Sequence, residues 1–170
     1  MLEAGILKED DPVELIHGQI VEVSPENRPH RAAIIKITQV LVEALDPQAY
    51  AVQPQSTLPL DEHNVPEPDL AVLEGTPEEL MEGELPVIFV VEVADTSLER
   101  DRGVKQALYA RAGIPVYWIV DLAARQLEVY SDPERARYRE RTTVVEGEVV
   151  DIPVGSEGPV SVQALLPAAE

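Results

Sequence analysis

Apolar and polar positions change rhythm along this chain, and each change marks an element. From His30 to Leu45 the apolar residues Ala33, Ile34, Ile37, Val40, Leu41, Ala44 and Leu45 recur at three- and four-residue spacing. That is the stripe of an amphipathic helix, and Pro47 ends it. Ahead of it, VELIHGQIVEVSP (13–25) predicts two short strands turning at Gly18, a hairpin closed by Ser24-Pro25. Behind it come three extended segments: AYAVQPQSTLPL (49–60), DLAVLEG (69–75) and PVIFVVEVA (86–94). The acidic stretch TPEELMEGEL separates the last two as a turn or short helical excursion.

Thr96-Ser97-Leu98-Glu99 has the Thr-x-x-Glu spacing of a capping box, which predicts a helix starting near Leu98 and stopping at Gly113 before Pro115. PVYWIVD (115–121) is then a buried strand, and QLEVYS, ARYRERTTVVE and EVVDIP are further strands. The middle of the chain is therefore α-β-β-β-α-β, and an α/β fold with helices packed on a sheet is the expected architecture.

Composition narrows the function. The 170 residues, 45% hydrophobic, suit one domain over 1–170. No apolar run approaches membrane-spanning length and no basic-then-apolar leader opens the chain, so a soluble cytoplasmic protein is expected. The absence of cysteine excludes disulfides and thiolate metal sites. A net charge of −19 argues against indiscriminate nucleic-acid binding. The charge is uneven, however. Residues 1–99 hold 21 acidic and 4 basic side chains, whereas residues 100–141 hold 6 and 9, which leaves that segment at +3.

Within this pattern Glu92 is the anomaly, a carboxylate near the end of the most apolar strand. A buried glutamate must be paired, neutralised or used as a ligand. Asp69 opens the preceding strand within Pro66-Glu67-Pro68-Asp69, and two carboxylates on paired strands are naturally reconciled by a divalent cation. Lys105 lies on the following helix with Tyr109 four residues on, so the two share a helix face. Asp, Glu and Lys around Mg²⁺ would make a phosphodiester-hydrolysing site.

Each residue also has a structural alternative. Asp69 suits a turn after Pro68, Glu92 could pair with Arg100 or Arg102, and Lys105 could form an exposed pair with Asp101. His30 suits a helix N-terminus, Glu14 the exposed side of the hairpin, and Tyr109 and Trp118 the core. The alternating Arg135-Ala136-Arg137-Tyr138-Arg139 fits a solvated strand face or a DNA track.

Pro68-Asp69, Glu92-Val93, Lys105 and Tyr109 in this element order resemble the PD-(D/E)XK nuclease superfamily. More narrowly, VELIHGQIVEVSPENRPH, PDLAVLE and VVEVADTSLERDRGVKQALYARAGIPVYWIVD resemble a restriction-endonuclease-like family abundant in cyanobacteria and other bacteria, long classed as a domain of unknown function.

The resemblance implies a restriction-endonuclease-like core with a mixed sheet flanked by helices, plus an N-terminal hairpin and C-terminal strands. It implies a DNA endonuclease using Mg²⁺ or Mn²⁺, with Asp69, Glu92 and the Val93 carbonyl at the metal and Lys105 as the catalytic lysine. Glu14 and His30 match the family's early glutamate and the histidine that opens its first helix, and a homodimer is expected of an enzyme that cuts both strands. The chain departs from the superfamily where its lysine usually stands two residues after the glutamate, since that position is Ala94. It also has Asp95 and Gln19 where the family commonly has Ser and Glu. A catalytically silent nuclease fold serving as a binding or assembly module is the competing expectation, and a hydrolase of small phosphorylated substrates a third.

Overall fold

The computed structural model describes residues 12–23, 27–155 and 158–169. Its spine is a six-stranded mixed sheet built from β3 (Tyr50–Pro54), β4 (Leu70–Glu74), β5 (Val87–Ala94), β6 (Val116–Asp121), β7 (Gln126–Glu134) and β8 (Arg137–Val145), in that spatial order. Only β5 and β6 run parallel; every other neighbour is antiparallel. A parallel pair needs a crossover, and the helical segment between Leu98 and Arg111 supplies it.

Both faces of the central strands are covered, which is why β5 and β6 are nearly continuous runs of Val, Ile and aromatic residues. On one face lies α1 (Arg28–Ala44), which buries Ala33, Ile34, Ile37 and Leu41 against Leu70, Val72, Phe89, Val91, Val93 and Trp118. The Phe89 and Trp118 rings meet with centroids 5.1 Å apart. On the other face Ala71, Val90, Ala94, Tyr117 and Ile119 pack with Tyr109 and Ala110. The hairpin of β1 (Val13–Ile16) and β2 (Gln19–Glu22) stands apart from the main sheet. His17 and Gly18 at its tip have φ of 52° and 74°, the paired left-handed residues of a tight hairpin turn. Ser24-Pro25, expected to close it, lies outside the described residues.

Three local expectations change. The segment 49–60 is a strand only to Pro54, because Gln55 turns left-handed (φ 45°) and Pro54 and Pro59 cannot donate to a ladder. The Thr-x-x-Glu box at Thr96 does not form. Ser97 holds the N-cap position and its hydroxyl donates instead to Asp101 Oδ2. The same spacing at Thr76 and Glu79 makes a true capping box on α2 (Pro77–Leu80). The third change is inside the crossover helix. It runs as α3 (Leu98–Arg100), a π-helical turn (Asp101–Lys105) and α4 (Gln106–Arg111), head to tail. Such a turn inserts a residue into the helical register and is favoured at functional sites.

Beyond the sheet, β9 (Val149–Val150) pairs with β10 (Val160–Ser161), so EVVDIP is a strand only in its first part, and α5 (Val162–Leu165) packs on α1. Among the described residues no helix is long and apolar enough to cross a membrane.

Candidate active site

The register of β4 and β5, Leu70 opposite Val91 and Ala71 opposite Val90, places Asp69 opposite Glu92. Facing residues of an antiparallel pair project to the same side, so the two carboxylates lie together at one end of the sheet. The Val93 N–H donates to Asp69 Oδ2 at 2.7 Å. His30 Nε2 stands 3.2 Å from the same oxygen, brought there because Asn27 caps α1 by accepting from the His30 N–H. Asn27 Nδ2 also donates to Asp95 Oδ2, which ties the start of α1 to the end of β5. Thus Asp95, where the family commonly has Ser, takes a structural bond here.

Glu92 is 3% exposed and its Oε1 accepts from Lys105 Nζ at 2.9 Å and from the Tyr109 hydroxyl at 2.7 Å. It pairs with neither Arg100 nor Arg102. Lys105, itself 3% exposed, is no surface partner of Asp101, because its ammonium also lies 3.0 Å from Glu14 Oε1. Glu14 is not on an exposed hairpin face. It is 2% exposed, points inward from β1, and accepts the Glu67 N–H at 2.9 Å. Lys105 and Tyr109 come to Glu92 from the crossover helix, and the π turn sets the helical register that presents them.

Electrostatically this pocket carries too much negative charge. Glu14, Glu92 and Asp101 are all buried around the single ammonium of Lys105, and Glu14 Oε2 and Asp101 Oδ1 are buried without a partner among the described residues. Burial, with Asp69 and Asp101 adding to it and Lys105 opposing, pushes the Glu92 carboxyl up to about 8. Burial raises Asp101 as well. Burial alone would lower the Lys105 ammonium, yet Glu92 and Glu14 more than offset it and hold it above its ordinary value. A proton or an added cation is what such a site lacks.

Asp69, Glu92 and Val93 line a cleft of about 730 Å³, with His30 and Arg31 on the α1 side and Ser97 and Arg100 on the crossover helix. Lys105 and Glu14 sit behind this wall. Among the described residues no group of three or more His, Asp or Glu side chains has the arrangement of a complete metal cage. The donor set that does face the cleft is two carboxylates in register. The described hydrogen bonds use Oδ2 of Asp69 and Oε1 of Glu92, so the other oxygen of each is the atom available to a ligand. Mg²⁺ characteristically takes only one or two protein carboxylates and keeps water and phosphate oxygens elsewhere. The residues therefore fit such an ion. At Val93 the contact made is through the N–H; its carbonyl has no role in these bonds.

A family model described as "Uma2: Putative restriction endonuclease" matches residues 2–161. The chain belongs to the Uma2 family. A solved structure, a putative nuclease belonging to DUF820 from Anabaena variabilis, superposes with a TM-score of 0.76 at 18% identity, covering 96% of this chain and 94% of that one. At that identity the likeness shows the fold, which is that of a putative nuclease. No curated protein sequence matches the chain.

Some of the surroundings had no signal in single residues. Asp101 stood out only as a neighbour of Lys105, Arg102 only as a possible partner of Glu92, and Glu128 not at all. Glu128, 0% exposed on β7, accepts from Arg102, from Arg141 Nη2 at 2.8 Å and from the Tyr130 hydroxyl at 2.7 Å. This anchors the π turn to the sheet. Trp118 is a core residue, and Tyr109 is both core and bonded to Glu92.

Proposed function

We propose that the protein is a Mg²⁺- or Mn²⁺-dependent deoxyribonuclease that hydrolyses DNA phosphodiester bonds. The observation that carries this is the pairing of Asp69 and Glu92 in register on adjacent strands at the floor of an open cleft, within a Uma2 chain. Asp69 and Glu92 would hold the metal, with the Val93 carbonyl as a further donor. Bound there, a divalent cation supplies an activated water near neutral pH and Lewis-acid stabilisation of the phosphate.

The chain's own groups do the rest. The Val93 N–H and His30 fix the Asp69 carboxylate in one orientation, and His30 Nε2, at the cleft wall, is placed to carry a proton to or from a reacting oxygen. Lys105 and Tyr109 hold Glu92 by one oxygen, and Lys105 compensates its charge from behind. Glu14 in turn holds Lys105. Pairing of two copies as a homodimer would bring two such clefts to the two strands of a duplex.

One observation favours a second reading, a catalytically silent nuclease-fold binding module. Lys105 is locked between two buried carboxylates and lines no part of the cleft, unlike a lysine that contacts the scissile phosphate. Incubating the purified protein with plasmid and oligonucleotide DNA in Mg²⁺ or Mn²⁺, beside Asp69→Asn, separates the two. Cutting by the parent and not by the variant supports the nuclease. DNA bound but intact under every metal supports the module.

A further inference from the structure

Four arginines are spent on carboxylates: Arg102 and Arg141 on Glu128, Arg125 on Glu146, Arg139 on Asp132. The other six have no such pair among the described residues, and two of them, Arg31 and Arg100, stand at the cleft. Arg100 is half-buried, and its Nε is shielded from solvent with no acceptor. A buried guanidinium nitrogen without a partner is unfavourable unless a ligand provides one. Carboxylates are at hand, since Glu67, Asp95 and Glu99 line the same cleft, so the vacancy is not for want of anions nearby.

Arg31 stands on the other wall, exposed, with its guanidinium open to a ligand in the cleft. It lies at the start of α1, where no acidic residue occupies the first turn and Arg28 adds a second cation. Positive side chains at a helix N-terminus oppose the helix dipole, whereas an anion there is favoured by it. Two arginines facing one cleft, Arg100 with only the longer-range charge of Asp101 opposite it and Arg31 set against its own helix, suit an external anion with several oxygens. Guanidinium forks match phosphate oxygens in a bidentate way that Lys does not.

We propose that Arg31 and Arg100 form a phosphate clamp, each donating to backbone phosphate oxygens of a nucleic-acid strand laid in the cleft over Asp69 and Glu92. This rests on the nuclease reading and names how its substrate is held. The cleft also carries Glu67, Asp69, Glu92, Asp95 and Glu99, so the two guanidiniums supply a local attraction where their forks point and not a positive cleft.

Binding of a short fluorescent DNA duplex, measured by anisotropy with Ca²⁺ in place of Mg²⁺ over a series of salt concentrations, tests the clamp. Arg31→Ala and Arg100→Ala should each weaken binding and lower the slope of log K against log [salt] by about 1. Arg100→Lys should restore the slope but not the full affinity, since it keeps the charge and loses the fork. Arg137→Ala, on the distant β8 edge, should change neither. Unfolding midpoints equal to the parent's establish that each variant is folded. A parent that binds with a slope indifferent to both cleft arginines, or one sensitive to Arg137 instead, overturns the clamp and leaves the nuclease reading standing. A parent that binds no DNA at any salt overturns both.

Discussion

The backbone N–H of Val93 donates to the Asp69 carboxylate, so the strand that delivers Glu92 also orients the acid facing it. The two proposed ligands are therefore one mechanical unit. Asp69→Ala should abolish Mn²⁺ binding by calorimetry and also cost about 1–3 kcal/mol in urea unfolding, because a buried N–H loses its acceptor. Asp69→Asn keeps an amide oxygen for that N–H. It should retain nearly all the stability and still bind no Mn²⁺. Metal uptake by Asp69→Asn equal to the parent's would remove Asp69 from the ligand set.

Proton linkage at Glu92 has a definite sign. Its folded value, about 8, lies above the ordinary 4.5, so the folded chain holds this proton more tightly than the unfolded one. The resulting stabilisation is complete below 4.5 and is lost as pH rises through 8. The parent's melting temperature should decline across that window in the absence of metal, and Glu92→Gln should show a flatter profile. Mn²⁺ affinity of the parent should rise over the same window with release of a proton into the buffer. Parallel melting profiles for parent and variant would place the titration elsewhere.

Lys105 stands between two buried carboxyl groups, Glu14 and Glu92, a single ammonium shared by both. Lys105→Ala should cost about 3–5 kcal/mol by leaving both uncompensated. Adding Glu14→Gln should recover part of that loss, so the double variant unfolds at higher urea than Lys105→Ala alone. Strictly additive losses would show that the Glu14 and Lys105 side chains are energetically independent.

Glu128→Ala should free the π turn. It strips acceptors from Arg102, Arg141 and Tyr130 together, and because both arginines are partly exposed and can turn to water, a loss of about 1–3 kcal/mol is expected. Amide hydrogen exchange should then accelerate between Leu98 and Arg111 before the β4 and β5 amides respond. Uniform acceleration across the sheet would mean that Glu128 supports the fold generally and not the helix that carries Lys105.

Periodicity made α1, β4, β5 and β6 legible, because each buries a regular set of side chains: Ile37 and Leu41 on one helix stripe, Val91 and Val93 on one strand face. The Asp69 and Glu92 pairing was legible only on the condition that their strands pair, because runs buried on both faces carry no alternation to set a register. What could not be seen depended on long-range placement. Glu14 sits in a short hairpin where alternation cannot say which side is covered; its burial needs the loop carrying Glu67 to close over it. Glu128 meets Arg102 only once β7 has folded beside β6. The π turn changes a hydrogen-bond register without altering composition, so the 98–113 stretch reads as an uninterrupted helix. Thr96 and Thr76 have the same capping spacing, and only the geometry beyond the cap decided between them.

The hairpin is stapled to the body by Leu15 against Val65, by His17 and Gly18 against Asn64 and His63, and by Glu14 on Lys105 and the Glu67 N–H. During synthesis its residues leave the ribosome long before any of these partners exist. Glu14 must therefore wait in water, fully hydrated, until the crossover helix has been made and can receive it. The charged pocket behind the cleft therefore cannot close before Lys105 has been made, and a half-made chain carries the carboxylates without the arrangement that gives them purpose.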